Sequence, residues 1–136
     1  MKPNKTTVPL RIYHEDTDSG GVVYHANYLR YMERARTEWL CERGFDHDRV
    51  AREVGILFVV RSLDIKFLRP ARLGDYLQAS AELVEMRRGL MAFDQRVIRG
   101  DTELARATVR VISVSLDNFK SVSVPDSMRL ALGVDA

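Results

Sequence analysis

The residues best equipped for chemistry lie in one short stretch between His14 and Tyr31. It contains three carboxylates, two imidazoles and two adjacent glycines, which are Glu15, Asp16 and Asp18, His14 and His25, and Gly20 and Gly21. Carboxylates and imidazoles can take and give protons, and glycines let backbone N–H groups approach a ligand closely. A helix that begins directly after such a turn adds unpaired N–H groups and the positive end of its dipole. We therefore expect the reaction to take place at this turn.

The composition is that of an ordinary globular protein. Of 136 residues, 46% are hydrophobic and 29% are charged, and a chain of this length buries roughly two thirds of its unfolded surface. The formal net charge of +2 is too small to predict binding to nucleic acid. The single cysteine, Cys41, cannot form an internal disulfide, and no apolar run is long enough for a signal peptide or a transmembrane segment. We expect one domain over 1–136 and a cytoplasmic location.

The hydrophobic period is helical in the first half of the chain. From Tyr28 to Trp39 the larger apolar residues recur every three or four positions, which predicts a long amphipathic helix that ends at Gly44. Asp46 is well placed to cap a shorter helix that ends at Gly55. The predicted long helix begins directly after the carboxylate-rich turn, so the turn and the helix N-terminus should lie together.

After this point apolar and polar residues alternate, which predicts half-buried strands. With an opening strand at about 8–13, we count five strands, and turns are predicted at 70–75, 87–89 and 100–101. The parity of the apolar positions switches after Val111, which indicates a β-bulge or a change in the buried face. The fold class is therefore α+β: a mostly antiparallel five-stranded sheet wrapped around one long central helix, the hotdog arrangement.

The segment 13–28, Tyr-His-Glu-Asp-Thr-Asp-Ser-Gly-Gly-Val-Val-Tyr-His-Ala-Asn-Tyr, closely resembles the signature of the hydroxybenzoyl-CoA thioesterase family of hotdog proteins. Within that family it is most similar to the Tol-Pal system-associated acyl-CoA thioesterases. The segments 33–38, 58–61 and 70–75 resemble the same branch, and the resemblance extends over about 8–117. It implies hydrolysis of an acyl-CoA to a free acid and CoA, without a metal or a redox cofactor.

The resemblance also implies roles for individual residues. Asp18 is the expected catalytic carboxylate, acting as a nucleophile on the thioester or as a general base for water. His25, at the start of the helix, is expected to present its backbone N–H to the thioester oxygen, and its imidazole is a further candidate for orienting water or polarising the carbonyl group. A developing negative charge on that oxygen would be stabilised there by about 3 kcal/mol per donor.

Substrate contacts are expected from Tyr24 and from a predicted hairpin tip. Arg87 and Arg88 are candidates for the CoA phosphates, and Gly89 would allow a close backbone approach. The resemblance implies a homodimer or a homotetramer with active sites at the protomer interface, and a location that includes the periphery of the inner membrane. Acyl groups on acyl carrier protein are an alternative substrate, and a non-catalytic acyl-binding scaffold of envelope or phospholipid-synthesis machinery is a second alternative.

Each of these features also has a purely structural interpretation. Aspartates in turns often only accept backbone hydrogen bonds, and we assign Asp16 and Glu15 to that role. His25 would then only pack or cap the helix. The segment from Asp16 begins like a calcium loop, but glycine and asparagine stand where that loop needs a side-chain ligand and a bidentate acid. The three histidines lack zinc-site spacing, and we predict no metal site.

Overall fold

The computed structural model describes residues 4–132, and residues 1–3 and 133–136 of the predicted domain lie outside the described residues. The elements in chain order are β1 (Lys5–Arg11), a 3-10 turn (His14–Asp16), α1 (Asn27–Glu42), α2 (His47–Glu53), β2 (Ile56–Phe67), β3 (Tyr76–Arg87), β4 (Leu90–Arg99), β5 (Thr102–Ser115) and α3 (Asp126–Ala131). This order confirms the α+β prediction.

The five described strands form one antiparallel sheet in the order β1-β3-β4-β5-β2. Two-residue turns join β3 to β4 at Arg88 and Gly89, and β4 to β5 at Gly100 and Asp101, as predicted. The two edges of the sheet are β1 and β2. The edge of β1 carries Pro9, which has no N–H to offer to a further strand.

Helix α1 follows the predicted apolar stripe. Its buried side chains lie on one face and include Tyr28, Tyr31, Met32, Ala35, Trp39 and Leu40. The helix ends at Glu42, and the predicted stop residue Gly44 follows its C-cap with a φ of 92° that is readily adopted only by glycine. The N–H groups of Gly44 and Phe45 bind the carbonyls of Cys41 (3.0 Å) and Leu40 (2.9 Å) and so close the last turn. The Asp46 side chain caps α2 by accepting from the N–H of Arg49, also as predicted.

A buried polar contact sets the position of α1 on the sheet. Gln95 of β4 is fully buried, and its amide group donates to the carbonyls of Met32 (2.8 Å) and Ser80 (3.2 Å). Its amide oxygen accepts from the Arg36 guanidinium at 2.9 Å. Sliding or rotating α1 would break the two bonds to Met32 and Arg36 and leave buried polar groups unpaired, which is costly. This contact therefore helps to fix where the N-terminus of α1 lies.

The structure differs from the sequence prediction in two places. A β-bulge or a change in the buried face was predicted after Val111, in the last strand. The irregularity instead lies in β2, between Val60 and Ser62, and every second side chain of β5 stays buried from Ala105 through Ser113. Val114 is also buried, where Ser121 pairs with it. Helix α3 was not predicted, because it is short and its one buried side chain, Met128, packs into a core built by distant strands. Within residues 4–132, no helix has the length and apolar character needed to cross a membrane.

Candidate active site

The predicted catalytic carboxylate, Asp18, lies at the corner of a tight turn. Its N–H donates to the carbonyl of Val22 (2.9 Å), and its own carbonyl accepts from the N–H of Gly21 (3.0 Å). One carboxylate oxygen, Oδ1, accepts from the N–H of Gly20 at 2.8 Å. Gly21 has a φ of 80°, a conformation that side chains disfavour. Asp18 is exposed, and its Oδ2 atom accepts no hydrogen bond from the described residues.

The start of α1 supplies donors beside this turn. In the first turn of the helix, the N–H groups of Asn27, Tyr28 and Leu29 donate to backbone carbonyls. The acceptors are the carbonyls of Tyr24, His25 and Ala26, in that order. The N–H groups of His25 and Ala26 donate to no acceptor in residues 4–132. Unpaired N–H groups at the positive end of a helix attract negative charge. The site therefore offers an exposed carboxylate and a place for a developing oxyanion.

Backbone pairing holds the Asp18 turn next to this helix start. Thr17 and Val23 pair in antiparallel fashion across the turn, and Val22 pairs with Arg72. The N–H of Val23 donates to the carbonyl of Ala71 (2.8 Å), and the N–H of Ala71 donates to the buried Tyr28 hydroxyl (3.1 Å). The connection between β2 and β3 is thus bonded both to the turn and to the first turn of α1. Sequence reasoning identified this connection as a turn only and missed its role.

Asp16 and Asp18 have different environments although they are two residues apart. Asp16 is 9% exposed and its carboxylate accepts hydrogen bonds on both oxygens, whereas Asp18 is exposed. The structural role predicted for Asp16 agrees with this burial. Asp16 ends the 3-10 turn and its side chain folds back onto the N–H of Tyr13, whereas Asp18 follows the extended Thr17 and begins the next turn.

Aromatic side chains surround the helix start. The His25 ring lies 4.7 Å from that of Tyr24 and 6.0 Å from that of Phe67, and the Phe67 ring lies 5.5 Å from that of Tyr28. Tyr24 is 50% exposed and Phe67 is 49% exposed. The imidazole of His25 is therefore on an open aromatic surface and not in the core. This surface brings the predicted contact residue Tyr24 next to His25.

A salt bridge in the connection between β2 and β3 makes stability depend on pH. Burial alone would raise the pKa of the Asp75 carboxyl, but the N–H of Arg72 (2.9 Å) and the Arg99 guanidinium (2.6 Å) stabilise its charged form and lower the pKa below its usual range. A group whose pKa is lowered on folding stabilises the fold above its unfolded pKa, about 4. This contribution is lost as the pH falls through the lower folded pKa.

Asp75→Asn is therefore expected to lower the free energy of unfolding at pH 7 by about 1.5 kcal/mol, the usual contribution of a hydrogen bond to a charged group. The difference from the native protein should shrink as the pH falls below about 4. Urea unfolding at several pH values measures this, with the exposed Asp101→Asn as the matched control. A difference that stays constant from pH 7 to pH 2 would contradict the assignment.

The predicted phosphate contacts lie far from Asp18 within one protomer. The N-terminal end of β3, at Tyr76, is close to the turn, because Ile12 donates to the carbonyl of Asp75. The hairpin with Arg87, Arg88 and Gly89 follows the other end of this 12-residue strand, roughly 35 Å away at about 3.3 Å per residue. The structure brings Asp18, Tyr24 and His25 together and leaves the hairpin apart from them.

The hairpin tip has its own contacts. Arg87 pairs with Glu85 and is exposed, and Arg88 has a φ of 49°. Gly89 does allow a close approach, but the group that approaches is the carbonyl of Val122, which would lie 2.2 Å from an added Cβ atom. Glycine is therefore needed at this position for packing, and the arginines remain the candidates for binding phosphate. Among the described residues, no cluster of three or more His, Cys, Asp or Glu side chains could hold a metal ion.

The chain is similar to known thioesterases in sequence and in structure. The family model of the thioesterase-like superfamily matches residues 12–132. The acyl-CoA thioesterase YbgC of Haemophilus influenzae is 40% identical over 131 residues, covering 96% of each chain. A probable thioesterase from Bartonella henselae has 31% sequence identity and a TM-score of 0.85, covering 89% of this chain and 99% of that one.

A more distant solved structure shares the fold alone. It is 4-hydroxybenzoyl CoA thioesterase from a Pseudomonas strain, with 22% identity, a TM-score of 0.87 and coverage of 93% of this chain and 98% of that one. The predicted hotdog arrangement is confirmed by this likeness. The chain belongs to the thioesterase-like superfamily of hotdog-fold proteins.

Proposed function

We propose that this protein is an acyl-CoA thioesterase in which Asp18 is the catalytic carboxylate and the N–H groups at the start of α1 bind the oxyanion. The observation that carries the proposal is the turn that holds an exposed carboxylate beside the unpaired N–H groups of His25 and Ala26. A thioester carbonyl bound at these donors would present its carbon to the carboxylate or to a water molecule next to it. No metal or redox cofactor is needed for this hydrolysis.

The chemistry balances by either of two routes. As a general base, Asp18 takes a proton from water while the water oxygen attacks the carbonyl carbon, and the negative charge forms on the oxygen held by the helix N–H groups. The C–S bond then breaks, and the CoA thiolate leaves and is protonated. As a nucleophile, the carboxylate first displaces the thiolate to form an anhydride, which water then hydrolyses. Both routes release one free acid and one CoA thiol.

The acyl group would follow an apolar groove between α1 and β2. Two adjoining cavities of about 280 and 260 Å³ share Glu33, Arg36 and Val60 and are lined further by Phe58, Leu63, Phe93 and Val109, among others. Val60, Leu63 and Phe67 lie on the same face of β2, opposite buried residues of β5. This face leads from the aromatic surface at Phe67 into the groove, so it suits an apolar acyl chain.

The same edge of the sheet is suited to pairing with a second copy of the chain. β2 is a 12-residue edge strand, and the exposed apolar side chains Leu29, Val60 and Leu63 lie beside it. Pairing two β2 strands across a two-fold axis would be antiparallel, so the start of the partner's β2 would lie beside Phe67. The partner's hairpin with its Arg87 and Arg88 would then be at the Asp18 end of the sheet.

Leu63→Arg is therefore expected to convert a homodimer into a monomer and to abolish most thioesterase activity, because the charge would be buried in the interface. The molar mass from light scattering and the rate of thiol release measure the two effects. Val84→Arg is the matched control, since Val84 is 58% exposed on the opposite face of the sheet. An unchanged mass in Leu63→Arg would rule out this interface.

Thiol release from a panel of short to long acyl-CoAs tests the proposed activity directly. Turnover of at least one member, lost in Asp18→Asn, supports the proposal. If no acyl-CoA is hydrolysed, acyl groups on acyl carrier protein, which present the same thioester, are the next substrates to measure. The exposed single cysteine, Cys41, is in keeping with the reducing cytoplasm that we propose as the location.

A further inference from the structure

The carboxylate of Asp16 is buried and bound at both oxygens. Its Oδ2 accepts from the N–H of Tyr13 (2.8 Å), and its Oδ1 accepts from the side-chain amide of Asn27 (3.1 Å). Asp16 is 9% exposed and Asn27 is 7% exposed. The carbonyl of Asp16 also accepts from the N–H of Tyr24 at 2.9 Å. Asp16 thus joins the chain before the Asp18 turn to the chain at the start of α1.

The hydrogen bond between Asp16 and Asn27 joins residues that lie on both sides of the proposed catalytic groups in the sequence. Asp16 precedes Asp18 by two residues, and Asn27 follows His25 by two residues. The hydrogen bond between their side chains, 11 residues apart, closes a loop that contains both the proposed catalytic carboxylate and the unpaired N–H groups. This side-chain bond therefore acts together with the backbone pairing of the turn in holding the two groups near each other.

The chemistry of the contact favours a carboxylate at position 16. A carboxylate has acceptor oxygens only, so it can accept from the N–H of Tyr13 and from the Asn27 amide without leaving a donor unpaired. An amide there would point its NH₂ group at one of those two donors. Tyr31, one helical turn after Asn27, is 2% exposed. Burial and the neighbouring Asp16 raise the pKa of Tyr31, so its hydroxyl stays neutral.

We propose that Asp16 is a positioning residue, whose buried contact with Asn27 sets the separation between the Asp18 carboxylate and the oxyanion donors at the start of α1. Asp16 does not touch the substrate in this scheme. The inference rests on the proposed function, because the separation matters only if both groups act on one carbonyl. A misplacement of about 1 Å at a reacting centre can cost about a hundredfold in rate.

Asp16→Asn is expected to lower kcat by about 10- to 100-fold with a KM for acyl-CoA within threefold of the native value. The double variant Asp16→Asn/Asn27→Asp restores a complementary pair, because the new amide can accept from Tyr13 and donate to the new carboxylate. We expect it to recover at least tenfold in kcat over the single variant. Glu15→Gln removes an exposed carboxylate from the same turn and is the matched control.

A purely structural role would change the melting temperature of these variants without this pattern in kcat. Native kcat in Asp16→Asn, or a double variant no better than the single one, would overturn the proposal. If Asp16→Asn does not fold, Asn27→Ala takes its place as the single variant and is compared with the double variant. Asn27→Ala removes the amide and leaves Asp16 bound to the N–H of Tyr13.

A measurement without substrate separates this proposal from the proposed activity. The N–H of Gly20 is bonded to the Asp18 carboxylate, so its NMR resonance reports on the turn. We expect this resonance to shift in Asp16→Asn and to return toward its native position in the double variant. A native Gly20 resonance in Asp16→Asn would overturn the positioning role. If the native protein hydrolyses no acyl thioester, the proposed function fails, and the Gly20 resonance still decides whether Asp16 positions the turn.

Discussion

Asp18→Asn is expected to lower kcat for acyl-CoA hydrolysis at least a hundredfold, with little change in stability. Removing a group that acts as base or nucleophile usually costs about 10²- to 10⁴-fold. The amide can still accept from the N–H of Gly20 through its oxygen, so the turn should keep its shape. KM should change little, because the proposed oxyanion donors belong to the backbone of His25 and Ala26.

Rates of thiol release for the native and variant proteins measure this effect, after light scattering and thermal unfolding have shown that both assemble and fold alike. Glu15→Gln is the appropriate control, because Glu15 is an exposed carboxylate in the 3-10 turn just before Asp18. Equal activity in Asp18→Asn and the native protein would remove Asp18 from the mechanism. The helix N-terminus would then have to act with another base.

Gly89→Ala is expected to be the most destabilising of the glycine substitutions, at about 3 kcal/mol. An added Cβ would lie 2.2 Å from the carbonyl oxygen of Val122 and 2.6 Å from the Ser113 hydroxyl. The chain at 122–124 is bonded to this hairpin, because Val122 pairs with Ser113 and Val124 donates to the carbonyl of Arg88. The substitution would therefore push the C-terminal segment away from the core.

Gly100→Ala provides the contrast in a hairpin turn of the same length. Gly100 has a φ of 60° but no atom within 4 Å of an added Cβ, so only the conformational cost of about 1 to 2 kcal/mol applies. Urea unfolding of both variants gives the comparison. If Gly100→Ala costs as much as Gly89→Ala, the packing of Val122 against the hairpin would not be the reason for glycine at position 89.

Local features of the sequence predicted most of the fold. The helical period between Tyr28 and Trp39, the glycines after α1 and α2, and the alternation after Gly55 each act within a few residues, so the sequence alone reveals them. The turns at 87–89 and 100–101 were predicted for the same reason. Helix α3 was missed because it is short and is stabilised by burial against strands far away in sequence.

Some features of the candidate site could also be predicted from nearby residues, and others could not. The sequence alone placed Asp18 and His25 at one turn before one helix, because their proximity depends only on a few intervening residues. It did not determine which of Asp16 and Asp18 is exposed, because that depends on the 3-10 turn that ends at Asp16 and on the partner that Asn27 offers. It also did not reveal that the connection at 68–75 fastens the turn to α1, since this contact joins segments more than 40 residues apart.

The location of the arginine hairpin was decided by tertiary structure alone. As residue types, Arg87 and Arg88 were reasonable phosphate contacts, and Gly89 was a reasonable site of close approach. The length and direction of β3 then set the hairpin at the end of the sheet opposite Asp18, and the carbonyl of Val122 takes up the space beside Gly89. Short-range periodicity and turn chemistry can be read from neighbouring residues, but strand order and register decide which distant residues meet.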